Sequence, residues 1–177
     1  MPATDSTSLE DRIRAIEDRL EIYNLIASHP PSADTGADYY TRAAYAENGE
    51  LDLGRGKAMA GNEAIAAVTK TPAHQAAIAG GLAHFAGLPR IELDGDRATA
   101  ISYLQILTPH PTAEPREVPN HGVTKGFRIH RVGANRWDLV RTASGWKIKR
   151  RTLRPLDGTE PARELLRGAL KSYEAVG

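Results

Sequence analysis

From Leu9 to about Ser28 the apolar side chains fall at Leu9, Ile13, Ile16, Leu20, Tyr23 and Ile26 or Ala27. Steps of three and four predict an amphipathic helix of about five turns. Ser8 offers an N-cap and Asp11 an acid in the first turn, while Pro30 and Pro31 are expected to end the helix, because neither ring can continue the hydrogen-bond ladder. The segment SADTG, which holds Asp34, reads as a turn. A short helix is expected over Asp38 to Ala46, closed by Asn48-Gly49, followed by a strand from Glu50 to Leu53. Two further short helices are expected, from Gly61-Asn62-Glu63 to about Thr69 and from Pro72 to about Ala79, the second stopped by Gly80-Gly81.

The pattern then changes from helical to extended. Leu82 to Leu93, Arg97 to Leu107, Gly122 to Val132, Trp137 to Thr142 and Trp146 to Leu153 predict strands, with hairpin turns at Asp94-Gly95-Asp96 and Ser144-Gly145. Thr108 to Asn120 holds four prolines (Pro109, Pro111, Pro115, Pro119) and reads as a loop able to cover a site. Glu160 to Tyr173 is a terminal helix with Pro161 in its first turn. Helices first and an antiparallel meander afterwards predict an α+β fold, with helices on one face of a curved sheet. Such a sheet leaves a conical interior, the natural place for a ligand. Residues 1–8 are small and polar and are expected to form a flexible arm ahead of one domain over 9–177.

Composition narrows the function classes. Lys and Arg (23) almost cancel Asp and Glu (22), which predicts no field for nucleic acid or an anionic membrane. The local run Lys147, Lys149, Arg150, Arg151 and Arg154 lies in strand sequence and is expected on a solvated sheet edge. With no cysteine there is no disulfide, thiolate zinc site or cysteine nucleophile. The opening MPATDSTSLEDR lacks the order of a signal peptide and no apolar run matches a membrane span, so a cytoplasmic location is the default expectation. Six histidines are present without the spacing of a metal site, and Gly54-Arg55-Gly56 precedes no βαβ unit. Neither a metal nor a nucleotide cofactor is expected.

The order of several motifs carries a family resemblance: IEDRLEIYNLIASH, PPSADTG, GNEAI, LAHFAGLPRIELDGDRATAISY and NRWDLVRTASGWKIKRRTLRP. Over roughly residues 9–155 it resembles the SnoaL-like branch of the nuclear transport factor 2-like superfamily. The resemblance implies a cone-shaped, cystatin-like α+β barrel with a deep, mostly apolar pocket. The branch includes scytalone dehydratase, a bile-acid dehydratase, a dehydrochlorinase, polyketide cyclases and ketosteroid isomerase. Several of these remove a proton from carbon with a histidine oriented by an aspartate. By position the aspartate falls on Asp34 and the histidine on His84. The superfamily also holds transport factors, dioxygenase small subunits and assembly domains, so the fold does not by itself give the function.

Each candidate has an ordinary structural role beside the functional one. Asp34 could cap the helix at Asp38 or form an Asx-turn. His84, with small neighbours Ala83, Ala86 and Gly87, could be a core side chain, yet imidazole beside a carboxylate is the base such chemistry needs. His29 either bonds a leaving group or ends the first helix; Tyr23 lines the pocket or packs in the core. Tyr103 and Asn135 are candidate donors, and Phe127 and Trp137 a candidate aromatic wall. Arg151 aligns with a functional arginine of the dehydrochlorinase. His110 and His121 are candidates for the inner face of the proline-rich loop, whereas His74 and His130 are expected at the surface.

The combined expectation is a cofactor-independent lyase or dehydratase acting on a small, largely apolar substrate, aromatic, polyketide or steroid-like. Carbon–carbon cleavage in lignin-aromatic breakdown is a variant of it. The alternatives are an isomerase or cyclase on the same dyad, or a non-catalytic binding or assembly domain such as a dioxygenase small subunit. The resemblance also implies a homo-oligomer, dimer or trimer, through the open sheet.

Overall fold

In the computed structural model, which describes residues 8–174, a long helix stands on a strongly bent sheet. Helix α1 (Leu9–Ala27) is followed by α2 (His29–Thr35) and α3 (Asp38–Ala44). Strands β1 (Tyr45–Asp52) and β2 (Met59–Ala60) precede α4 (Asn62–Ala67), a short 3₁₀ turn (Val68–Lys70) and α5 (Pro72–Ala79). The meander then runs β3 (Ala83–Ala86), β4 (Arg90–Asp94), β5 (Arg97–Pro109), β6 (Arg116–Val118), β7 (Gly122–Thr124), β8 (Phe127–Thr142) and β9 (Gly145–Pro155). Helices α6 (Glu160–Gly168) and α7 (Lys171–Glu174) close it. Seven strands form one sheet in the order β2-β1-β9-β8-β5-β3, with β4 beside β3 on the same edge of β5; β6 and β7 make a separate hairpin. Among the described strands only β1 and β9 run parallel to each other. The expected α+β architecture with a curved, mostly antiparallel sheet is therefore present. No described helix is long and apolar enough to cross a membrane.

Several boundaries differ from expectation, each for a local reason. Pro30 and Pro31 do not leave a loop behind them: they occupy the first turn of α2, where a missing N–H costs nothing, and Asp34 consequently sits on a helix. The expected strand Leu82–Leu93 divides at Gly87-Leu88-Pro89, so that β3 and β4 pair in turn with β5. Asn48-Gly49 is not a helix stop but lies at the register shift of β1 against β9. The segment 133–136 does not separate two strands, because β8 is continuous for 16 residues. Gly133 allows this: a Cβ there would approach the Arg154 carbonyl oxygen to 3.0 Å. The proline-rich loop is partly folded, its end paired in β6–β7. Of the expected N-terminal arm, all but Ser8 lies outside the described residues.

The basic run is not a sheet edge, because β9 is enclosed between β1 and β8. Arg150 and Arg154 reach Asp52 on β1, at 3.1 and 2.8 Å. A bulge decides the rest of the strand. Trp146 and Ile148 point inward, the register slips between Leu139↔Ile148 and Asp138↔Arg150, and the inward positions resume at Arg151 and Leu153.

Helix α1 is turned the other way from its apolar pattern. Ile22 and Ile26 are buried in the core with Trp137, Trp146, Leu139 and Ile148, but Leu9, Ile13, Ile16 and Leu20 face solvent. The middle of α1 is held instead by a polar clamp. Arg141 donates to both Asp18 carboxylate oxygens, at 2.6 and 2.5 Å, and Trp146 Nε1 donates to Asp18 Oδ1 at 3.0 Å. Asp18 is buried, and the Arg141 guanidinium holds its carboxyl below the usual range against the opposing effect of burial. Asp18→Ala leaves a partly covered arginine and an indole N–H without their acceptor. It is expected to cost about 2–3 kcal/mol, read as a lower midpoint in urea with an unchanged slope.

Candidate active site

The concave face of the sheet and helices α2 to α5 enclose a cavity of about 200 Å³. Leu51, Leu53, Ile65, Val68, Leu104, Ile106 and Leu153 give it an apolar wall, and its polar lining includes His29, His74, His84, Arg131 and Arg151. Thr41, Tyr45 and Thr69 complete much of the remaining surface.

Asp34 and His84, fifty residues apart, meet where α2 packs on β3. One carboxylate oxygen accepts the His84 backbone N–H at 2.9 Å and the other lies 2.6 Å from His84 Nδ1. Both carboxylate oxygens of the aspartate thus engage one residue, which fixes the position of β3 and the plane of the ring. With the carboxylate on Nδ1, that nitrogen carries the proton and Nε2 keeps its lone pair. Burial lowers the His84 pKa below its ordinary 6.5, and Arg151 and His74 act in the same direction; Asp34 opposes them. The imidazole is a free base at neutral pH.

Around this pair stand further rings and cations. The His29 ring is edge-on to His84, with centroids 6.1 Å apart, and edge-on to Trp137 at 5.4 Å. Burial drives the His29 pKa well below 6.5, so it too is neutral. His74 Nε2 lies 2.8 Å from the Ala33 carbonyl oxygen, tying α5 to α2 beside Asp34.

Arg151 is almost wholly buried. Its Nε donates to Asn135 Oδ1 at 3.0 Å, and its guanidinium lies 4.5 Å from the centre of the Trp137 ring. Among the described residues no carboxylate pairs with it, nor with Arg131. Burial depresses the pKa of both, yet an arginine stays charged. Two donors behind the site also lack acceptors, Asn135 Nδ2 and Trp137 Nε1. An apolar cavity with unpaired guanidinium groups and a free imidazole base can hold a small molecule on which negative charge resides or develops.

The candidates from the sequence separate clearly in space. His84, His29 and Arg151 line the cavity, and Asp34 stands directly behind His84. Asn135 and Trp137 are fully buried and support Arg151 rather than forming the lining. Tyr23 packs against the core. Tyr103 and Phe127 need correcting, for both are exposed and neither lines the cavity. Strand alternation sends Tyr103 outward because Leu104 and Ile106 point in, and Phe127 sits at the far end of β8. His110 and His121 also lie away from the cavity, and the proline-rich loop contributes nothing to its lining. His74, expected at the surface, lines it instead. Arg131 and the threonines carried no local signal, since their place depends on the path of β8 and on how α3 and the 3₁₀ turn seat over the sheet. No group of three or more metal-ligating side chains gathers among the described residues.

The family model of the SnoaL-like domain matches the chain over residues 14–152. The chain belongs to the SnoaL-like family. Among solved structures of similar fold is an NTF2-like protein with a cystatin-like fold from Novosphingobium aromaticivorans. It is 36% identical, with 93% of this chain and 98% of that chain covered and a TM-score of 0.79. A Mycobacterium tuberculosis protein of unknown function is 19% identical over 94% of this chain and 93% of its own, with a TM-score of 0.66. A candidate scytalone dehydratase from Novosphingobium aromaticivorans is 18% identical over 80% of this chain and 85% of its own, with a TM-score of 0.58. At those last two identities the likeness is one of fold. None of the curated proteins matches the chain.

Proposed function

We propose that this SnoaL-like protein is a cofactor-independent lyase of the dehydratase type, with His84 as the base and Asp34 as the group that orients it. The observation that carries the reading is the two-point grip of Asp34 on His84, which leaves Nε2 as a neutral base on the cavity lining. In the proposed step Nε2 removes a proton from a carbon beside a carbonyl group. The electron pair passes toward the carbonyl oxygen, whose growing charge is drawn to the Arg151 guanidinium. The pair then returns to form the carbon–carbon double bond as the neighbouring C–O bond breaks. The departing hydroxyl takes the proton held by His84 and leaves as water, which restores the free base. His29 is neutral and supplies a ring hydrogen bond, not a charge.

Size supports a narrower substrate class than the resemblance admits. A cavity of about 200 Å³ is close to the ~150 Å³ that holds benzene and below the roughly 300 Å³ at which drug-sized pockets begin. A single-ring β-hydroxy carbonyl compound fits this scale, whereas a steroid exceeds it.

The test is incubation in D₂O with a panel of single-ring carbon acids, with and without a β-hydroxyl, followed by proton NMR. Loss of the α-proton signal above the buffer rate, with alkene formation where a β-hydroxyl is present, is the expected result. Tight binding of these compounds without exchange at any carbon would instead assign a binding domain. The pH profile adds an independent readout. A base whose pKa is lowered stays deprotonated further into acid, so the acid limb of kcat/KM is expected below the ordinary imidazole value of 6.5. A limb above that value would contradict the buried base.

A further inference from the structure

We infer that the outward face of α1 is a self-association surface, on which copies of this chain pack their α1 helices in parallel. At about 100° per residue, Leu9, Ile13, Ile16 and Leu20 centre nearly opposite Asp18, Ile22 and Ile26, which hold α1 to the sheet. The four outward side chains are 67%, 47%, 58% and 56% exposed. Their separations of four, three and four are those of the a and d positions of a coiled coil, with Leu9 and Ile16 at d and Ile13 and Leu20 at a. An apolar stripe of this order on an otherwise charged helix marks a surface that another helix covers.

The charges flanking the stripe name the partner and its direction. Glu10 and Glu17 fall at e, and Arg12 and Arg19 at g; among the described residues none of the four has an ion-pair partner. In a parallel assembly of identical helices, g of one copy meets e of the next heptad of the other, which sets Arg12 against Glu17. An antiparallel pair would set g against g and e against e, arginine on arginine and glutamate on glutamate. Like charges therefore disfavour the antiparallel arrangement, and opposite charges favour the parallel one. A lipid surface is a poor occupant, because α1 carries five acids (Glu10, Asp11, Glu17, Asp18, Glu21) against three arginines (Arg12, Arg14, Arg19). The bulk of each domain lies behind α1, leaving the outer face free to approach its copy.

Two measurements test this on the whole chain. The sequence has no cysteine, so Ile16→Cys introduces one thiol, and a d position in a parallel pair brings two such Cα atoms within the roughly 4.4–6.8 Å a disulfide spans. Mild oxidation is expected to give a covalent dimer in high yield. Sedimentation should show the wild type at two or three times the monomer mass, and Ile13→Glu/Leu20→Glu as a folded monomer by mass and circular dichroism. Arg12→Glu should weaken assembly by about tenfold, and Arg12→Glu/Glu17→Arg should restore it. A monomeric wild type overturns the proposal, as does an assembly indifferent to Ile13→Glu/Leu20→Glu, which would place the contact on the open sheet. So does a monomer that co-sediments with phosphatidylserine vesicles.

Discussion

Asp34→Asn is expected to lower turnover about a thousandfold or more, within the roughly 10²–10⁴ contributed by a positioned general base, while the protein stays folded. Two acceptor oxygens are in use at this residue, one for the His84 backbone N–H and one for Nδ1. An amide has only one acceptor oxygen. If that oxygen keeps the backbone N–H, the amide NH₂ faces Nδ1, the ring proton moves to Nε2, and the lone pair that should attack the substrate is gone. If it turns to keep Nδ1, the NH₂ group opposes the backbone N–H and β3 is pushed away. His84→Ala removes the base itself and should cost at least as much. Single-turnover deuterium exchange on the best member of the panel, with the thermal midpoint recorded in parallel, checks both variants. Equal rates for Asp34→Asn and wild type would end the dyad reading.

Arg151→Met is expected to raise stability while removing activity. The guanidinium is buried, unpaired with any described carboxylate, and held by a hydrogen bond to Asn135, by the neighbouring Tyr45 hydroxyl and by the face of Trp137. Taking an ion out of water costs several kcal/mol even after relaxation. The bond to Asn135 returns about 1–3 kcal/mol as a charged hydrogen bond, and methionine retains most of the packing on the indole. Desolvation is the larger effect, so the thermal midpoint should rise. In the same variant kcat/KM should fall by about 10²–10³, the loss typical of removing one donor to a developing oxyanion. A lower midpoint together with full activity would show that Arg151 is a structural residue. This exchange of stability for function is what a site built around its substrate's charge predicts.

Much of the architecture was legible in the residues. The helix starts at Ser8 and Pro72, the hairpin turns at Asp94-Gly95-Asp96 and Ser144-Gly145, and the strand-rich second half all follow from local rules that act within a few residues. Asp34 and His84 were selected by resemblance, and local physics did not distinguish them from Tyr103 or Phe127. Strand alternation could tell that Tyr103 and Leu104 face opposite sides, but not which side held the cavity.

The α1 helix shows the same division from the opposite direction. Its apolar periodicity marked a helix with an apolar face, but the core takes Ile22 and Ile26 and the Asp18 clamp, leaving Leu9, Ile13, Ile16 and Leu20 outside. Periodicity reports that a face is apolar; it carries no information on whether the chain's own sheet or another molecule lies against it.

By itself, then, the sequence determined the α+β class, the element order and most turns, because capping, proline geometry and side-chain period act locally. Tertiary structure decided which polar groups share one cavity. A single bulge near Lys149 turned Arg151 inward where strict alternation from Trp146 would have sent Arg150. The packing of α2 on β3 brought Asp34 to His84 across fifty residues of chain. Both depend on strand register and helix seating, which are set by the fit of the whole core and not by any residue's neighbours.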